Sequence, residues 1–312
     1  MKILVTGSSG FIGYHLIKKL LKDGHDVIGI DDHNDYYDIK LKELRNKILQ
    51  SVNFSFFKQD INHLEIKDDD IDLAINLAAQ PGVRVKKEIE YLYQHTNING
   101  FQAFCNFCEH KKIKKIIYAS SSSVYSDNHT KRFIESSTKL NPKSVYGLTK
   151  MMNELYADKF SKRTSTSMIG FRFFSVYGPY GRPDMAYFLF ANSIRDKKTI
   201  YLNNKGEMSR DMTFVDDVIE GIKGGINYLN KNIQVINEIF NLGNDHPIST
   251  LDMLNSIESV LNKKTKIINL ETNNEALITH ADISKAKNLL GYTPRVTFKD
   301  GIKFFLDWHK SY

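Results

Sequence analysis

Two cysteines, six prolines and a single tryptophan are all that this 312-residue chain holds of those residue types. With so few cysteines a disulfide-stapled fold is excluded, and a chain of this length buries enough apolar surface to need no staple. The scarcity of proline and the absence of any biased tract argue against long linkers. No run reaches the about 18 apolar residues that a membrane helix needs. The N-terminal stretch Met1 to Gly7 meets glycine too soon for a signal peptide, so the expected location is cytoplasmic, with no membrane partner. Hydrophobic residues at 41% and charged residues at 25% exclude disorder as the main state.

The net charge is +7, but the lysines are scattered rather than massed. Lys42, Lys58, Lys86 and Lys87 read as a solvated surface, and no nucleic-acid partner is expected. Cys105 and Cys108 have CxxC spacing, which invites a redox or zinc reading. No second CxxC exists to complete a zinc site, and Glu109 rather than histidine follows Cys108. On an apolar-periodic helix they read as buried thiols in a reducing compartment, and no metal is expected.

Short apolar runs alternate with helical patterns. Strands are expected at 3–6, 27–30, 54–57, 73–77, 115–119 and 168–173, and a helix at 11–22 that stops at Gly24. Strand, helix, strand repeated implies an α/β fold: a Rossmann-like, doubly wound parallel sheet. After about residue 173 the alternation loosens, with turn signals at 178–183 and helical stretches at 251–261 and 284–290. The expected division is a nucleotide-binding domain over 1–172, with a later segment near 211–245 interleaved, and a smaller C-terminal α/β substrate lobe over 173–312. Ligands then belong at the carboxyl ends of the strands, between the lobes.

The turn Gly7-Ser8-Ser9-Gly10-Phe11-Ile12-Gly13 follows the first strand and opens the first helix. Glycines there let the backbone approach a pyrophosphate, and a helix N-terminus supplies free N–H groups and a positive dipole. Asp31, at the end of the second strand, is placed to bind a ribose 2′-hydroxyl and would repel a 2′-phosphate, so NAD is expected rather than NADP. Asp60 and Ile61 close the third strand, where an aspartate either meets the adenine amino group or caps the loop. Leu77, Ala78 and Ala79 end the fourth strand with side chains that suit close passage of a cofactor.

Tyr146 and Lys150 have YxxxK spacing, which puts both on one helix face. A lysine ammonium beside a tyrosine favours the phenolate, so Tyr146 is the expected general base, with a lowered pKa. Ser120 to Ser123 follow the fifth strand into the same crevice, and a hydroxyl there can hold a substrate oxygen and relay its proton.

The whole chain resembles the extended short-chain dehydrogenase/reductases that act on nucleotide-diphosphate sugars. The resemblance lies in TGSSGFIG (6–13), NLAAQPGVR (76–84), YASSSSVYS (118–126), SVYGLTK (144–150), RFFSVYGPYGRPDM (172–185) and RDMTFVDDV (210–218). Within that family the 172–185 run is most similar to the UDP-glucuronate 4-epimerases. The resemblance implies a UDP-sugar substrate and an NAD-dependent interconversion of UDP-glucuronate and UDP-galacturonate. Tyr146 takes the 4-OH proton while hydride leaves C4 for NAD, the 4-keto sugar turns over about its diphosphate, and hydride returns to the other face. Ser121 orients the 4-oxygen and Lys150 supports Tyr146.

The two positions after Ser121 separate reaction classes in this family. Dehydratases carry Asp-Glu, decarboxylases Ser-Glu and galactose-type epimerases Ala-Thr, whereas this chain has Ser122-Ser123. Neither serine is a strong acid or base, and both are suitable donors to a sugar carboxylate. The resemblance also implies carboxylate contacts from Ser175 with Arg182 nearby, a diphosphate contact from Arg210, and substrate-facing placement of Arg84, which otherwise is a surface loop arginine. It implies a homodimer through helices near 97–110 and 146–160. Competing readings are a 4-epimerase of UDP-glucose or UDP-N-acetylglucosamine and a non-catalytic NAD-binding scaffold. Departures from the family pattern are Ser175 for threonine, Tyr180 for tryptophan, Ser126 for glycine, and the segment 271–278 in place of a Pro-Gly-Asp-type turn.

Overall fold

Residues 1–84, 87–125, 132–137, 140–271 and 278–312 are described by a computed structural model. Lys86, Ser126 and most of the 271–278 segment singled out above lie outside the described residues. Six strands form where the hydrophobic runs predict them, with helices between all but β3 and β4: β1 (Lys2–Thr6), β2 (Asp26–Asp31), β3 (Phe54–Lys58), β4 (Leu73–Asn76), β5 (Lys115–Ser121) and β6 (Ser167–Phe173). Three further strands, β7 (Ser175–Tyr177), β8 (Ile200–Asn203) and β9 (Ser209–Phe214), precede β10 (Asn237–Leu242), and β11 (Pro247–Ser249) and β12 (Ile267–Leu270) follow it. Seven of them form one sheet in the order β10-β6-β5-β4-β1-β2-β3, with every pairing parallel.

Helices cover both faces of this sheet, so its strands are apolar on both sides. Along β1 the side chains alternate between two cores. Ile3 and Val5 join Leu16, Ile17 and Leu20 of α1 (Phe11–Lys22), while Leu4 joins Phe101 and Phe104 on the other face. Beyond α1 come α2 (Ile39–Ile48), the single turn α3 (Glu90–Leu92), a π-helical stretch Tyr93–Asn99, α4 (Gly100–His110) and α5 (Val145–Thr164). Cys105 and Cys108 are free and fully buried on α4. Helix α1 ends as its sequence predicts, with Gly24 at φ +81 just beyond it, a conformation that costs glycine nothing.

A third core lies under α6 (Ala186–Arg195), α8 (Thr250–Leu261) and α10 (Phe298–His309), built from residues such as Tyr187, Phe214, Leu254 and Phe305. It is roofed by the three-stranded sheet β11-β9-β7 and the pair β12-β8. Between these pieces α7 (Val215–Lys231) packs on α1 and on α9 (Ser284–Leu290), and β10 joins the edge of the large sheet. Among the described residues no helix is long and apolar enough to cross a membrane, and no group of three or more His, Cys, Asp or Glu side chains is placed to hold a metal.

Candidate active site

A cavity of about 1060 Å³ opens at the carboxyl ends of the large sheet's strands and is closed on its far side by the third core. The glycine turn forms its floor, with Gly7, Gly10, Phe11, Ile12 and Gly13 all on the wall. The glycines are required by close approach. Gly7 has φ +70, and a Cβ on Gly13 would stand 2.1 Å from the Gly7 carbonyl oxygen. Helix α1 starts at Gly10 with no side-chain cap and no acid in its first turn. A helix end left in that state is suited to an anion. These features fit the diphosphate of a dinucleotide.

Asp31 also lines the cavity and is buried. Its carboxylate accepts from Ser9 N at 3.1 Å and His33 N at 2.9 Å, which fixes it against the glycine turn. Burial raises its pKa, opposed chiefly by the nearby Lys42 ammonium. Lys42 corrects the surface reading of the scattered lysines. It is buried, lines the cavity, and donates to Asn34 O at 2.7 Å and Asn34 Oδ1 at 2.9 Å. Ile61, Leu77, Ala78 and Ala79 lie on the same wall. Asp60 does not. Its carboxylate caps the loop by accepting from Asn62 N at 2.8 Å and faces His95 Nε2 at 2.8 Å. Of its two sequence readings, the loop cap is the one the geometry fills.

Farther along the cavity, Ser121 ends β5 and its Oγ accepts from Ser123 N at 3.1 Å, closing the serine turn. Ser144 caps α5 by accepting from Gly147 N at 3.0 Å. Gly147 lets the helix start press on the serine turn, since a Cβ there would lie 2.3 Å from Ser123 O. Tyr146 and Lys150 then face the cavity one turn apart, beside Ser121, Ser122 and Ser123. Lys150 is buried and donates to Ala119 O at 2.9 Å, and its Nζ lies 5.7 Å from the Tyr146 ring centroid.

The electrostatics differ from the sequence expectation. Burial raises the Tyr146 pKa, and the influences that oppose it are the Arg182 charge and a hydrogen bond with Ser121. Lys150 spends a hydrogen bond on the Ala119 carbonyl, and burial has brought its own pKa down to about 8. Beneath the serines lies a pair that sequence reasoning missed. Arg172 is bidentate to Glu154, at 2.9 and 2.7 Å, and Ser120 Oγ donates to the same carboxylate. Glu154 continues the Tyr146, Lys150 spacing of four, a signal that was present in the sequence.

Across the cavity stand Ser175, Arg182 and Arg210, and Arg84 lies on its rim. Arg182 is held by Asp184, with Nε to Oδ1 at 3.0 Å and Nη2 to Oδ2 at 2.5 Å. Tyr36 reaches from the loop after β2 to donate to Asp184 Oδ2 at 3.1 Å. Tyr36 and Asp184 also line the cavity and carried no assigned role in the sequence, and Lys42, read there as a surface lysine, lines it with them.

The sequence profile of the NAD dependent epimerase/dehydratase family matches residues 3–243. An uncharacterized protein of Methanocaldococcus jannaschii is 44% identical over 315 residues, which cover 98% of this chain and 95% of that protein. UDP-glucuronate 4-epimerase 4 of Arabidopsis thaliana is 36% identical over 329 residues, covering 99% of this chain and 75% of the plant protein. The crystal structure of the UDP-glucuronic acid 4-epimerase from Bacillus cereus in complex with UDP-glucuronic acid and NAD superposes with a TM-score of 0.92 at 34% identity. That match covers 100% of this chain and 99% of the other.

Proposed function

The chain belongs to the NAD dependent epimerase/dehydratase family, and we propose that it is an NAD-dependent 4-epimerase interconverting UDP-glucuronate and UDP-galacturonate. The observation that carries this reading is the composition of one cavity. A dinucleotide-type glycine turn, the Ser121, Tyr146 and Lys150 set, and a serine turn without a carboxylic acid share its walls. Eliminating water requires an acid and base that Ser122 and Ser123 do not supply. Two hydroxyls that share the cavity with Ser175 and Arg182 suit a carboxylate that the reaction leaves in place.

Each residue has a defined task in this reading. Gly7, Gly10 and Gly13 admit the diphosphate of NAD, and Asp31 takes the adenosine ribose. The chemistry that bound NAD supplies is reversible hydride exchange at C4 of the sugar. Tyr146 takes the 4-OH proton and returns it after the keto sugar has turned over, and the Arg182 charge and the Ser121 hydrogen bond partly offset the burial that raises its pKa. Lys150, fixed by the Ala119 carbonyl and 5.7 Å from the Tyr146 ring centroid, supports Tyr146. Ser122, Ser123 and Ser175 hold the carboxylate, which matters because a 4-keto uronate is a β-keto acid prone to lose CO2. Arg210 and Arg84 take the diphosphate and the cavity rim. The sheet over 1–172 with its interleaved return near 211–245 serves the cofactor, and 173–312 mainly serves the UDP-sugar.

The reading extends to a cytoplasmic homodimer joined through α4 and α5. Leu148, Met152 and Leu155 leave an apolar stripe exposed along α5, and the mass of the protein by size-exclusion chromatography with light scattering tests it. The activity itself is tested by following purified protein with UDP-glucuronate, UDP-glucose and UDP-N-acetylglucosamine by NMR, without and then with added NAD. The expected outcome is a UDP-glucuronate and UDP-galacturonate mixture without net NADH. A UDP-pentose product, or turnover of a neutral sugar alone, overturns the proposal.

A further inference from the structure

We propose that Tyr36 is a positioning residue that seats Arg182 for the sugar and so ties sugar recognition to the cofactor side of the cavity. This rests on the reading of Arg182 as a sugar contact. Tyr36 belongs to the loop that follows Asp31, and its own placement is firm. Its N–H donates to Asn34 Oδ1 at 3.3 Å, the same amide oxygen that buried Lys42 holds at 2.9 Å. Its hydroxyl fits the notch left by Gly82, where a Cβ would stand 2.6 Å from the phenolic oxygen.

From that position Tyr36 acts on Arg182 in two ways. Its hydroxyl donates to Asp184, the counter-ion that holds both Nε and Nη2 of Arg182. Its ring lies under the guanidinium, 5.7 Å from centroid to Cζ. A second strut reaches the loop that carries Arg182 only at its backbone. Arg45, fully buried on α2, donates to Ser9 O in the glycine turn at 2.9 Å and to Tyr180 O at 2.7 Å. Arg45 therefore joins the root of the loop to the cofactor turn. The direction in which the Arg182 side chain points is left to Asp184 and Tyr36. Desolvated bonds to a charged group are the strong kind, and losing one frees the cation to leave its seat.

Tyr36→Phe keeps the ring and removes the hydroxyl. Calorimetry on NAD-loaded protein with UDP-glucuronate, and separately with UDP, which has no sugar, separates a sugar-side effect from general damage. The expected result is about tenfold weaker binding of UDP-glucuronate, the scale of one hydrogen bond to a charged group, with UDP changed by less than about twofold. Asp184→Asn is expected to give the same selective loss, and the double variant little more than either alone, because the two groups act as one unit. If Tyr36→Phe does not fold, Asp184→Asn carries the same expected ratio. Equal weakening of both ligands, or of neither, overturns the proposal. Turnover of UDP-glucuronate by the wild-type preparation decides the epimerase reading separately, because the ratio of affinities is read without catalysis.

Discussion

At the end of β1 the cavity wall is glycine and main-chain N–H, held by a buried aspartate that itself grips backbone donors. Facing it, around the serine turn and the 172–185 run, the wall is Ser122, Ser123, Ser175 and Arg182, all side chains. In the proposed reading the first wall would meet a diphosphate through main-chain atoms, so its sequence is constrained chiefly by space. The second would meet a sugar through side-chain functional groups, so its sequence is constrained by chemistry. Substitutions on the first wall act by clash and on the second by loss of a donor, and the two produce different losses.

The largest expected effect separates chemistry from both walls. Tyr146→Phe lowers kcat about a thousandfold, within the range for a lost general base, while NAD binding by calorimetry stays as in the wild type. Retained turnover would remove Tyr146 from the proton path. Next is the main-chain wall. Gly13→Ala drives a Cβ into the Gly7 carbonyl and is expected to cost about 3 kcal/mol in urea unfolding, the upper range for overpacking, together with NAD affinity. A variant that keeps both would show that the turn has room to relax.

On the side-chain wall, Ser122→Ala with Ser123→Ala is expected to raise KM for UDP-glucuronate about tenfold, from lost donors to a carboxylate, with unfolding midpoint and NAD affinity unchanged. A fall in stability instead would make these hydroxyls structural. A pH-dependent effect tests the lysine between the walls. Burial holds the Lys150 pKa at about 8, below the 10.5 of a free side chain. At pH 7 the folded and unfolded chains both carry that proton, and the full burial penalty is present. Above pH 8 the folded protein releases a proton that the unfolded chain keeps, so this residue's contribution to stability improves by roughly 1 kcal/mol per pH unit until both are neutral. Lys150→Met should abolish that slope, so the stability difference between wild type and variant grows with pH above 8, and a parallel slope in both would place the titration elsewhere.

The parts of this arrangement that were legible in the sequence are those with short-range causes. Strands β1 and β4 are nearly continuous apolar runs because both sheet faces are covered, and the glycine turn and YxxxK helix declare themselves by spacing. The missed residues owe their roles to distant partners. Tyr36 meets Asp184 only because β2 and the 172–185 run end at one crevice. Lys42 resembles any surface lysine until α2 folds it onto Asn34. The Tyr146 shift runs upward rather than downward because burial of the phenol dominates, and spacing in sequence indicates a shared helix face but not how deeply that face is buried. The seventh strand was the weakest signal of the sheet. Only its last half is fully buried, so it lacks the continuous apolar run that marks its neighbours.

That seventh strand orders events in time. β10 pairs with β6, yet β6 ends at Phe173 and β10 begins at Asn237, with much of the smaller lobe made in between. On the ribosome the nucleotide sheet therefore waits with an open edge until residue 242 has emerged, and the intervening chain must be accommodated first. Exposed strand edges invite pairing with other chains, which makes this interval the one in which the nascent protein has most to gain from a chaperone.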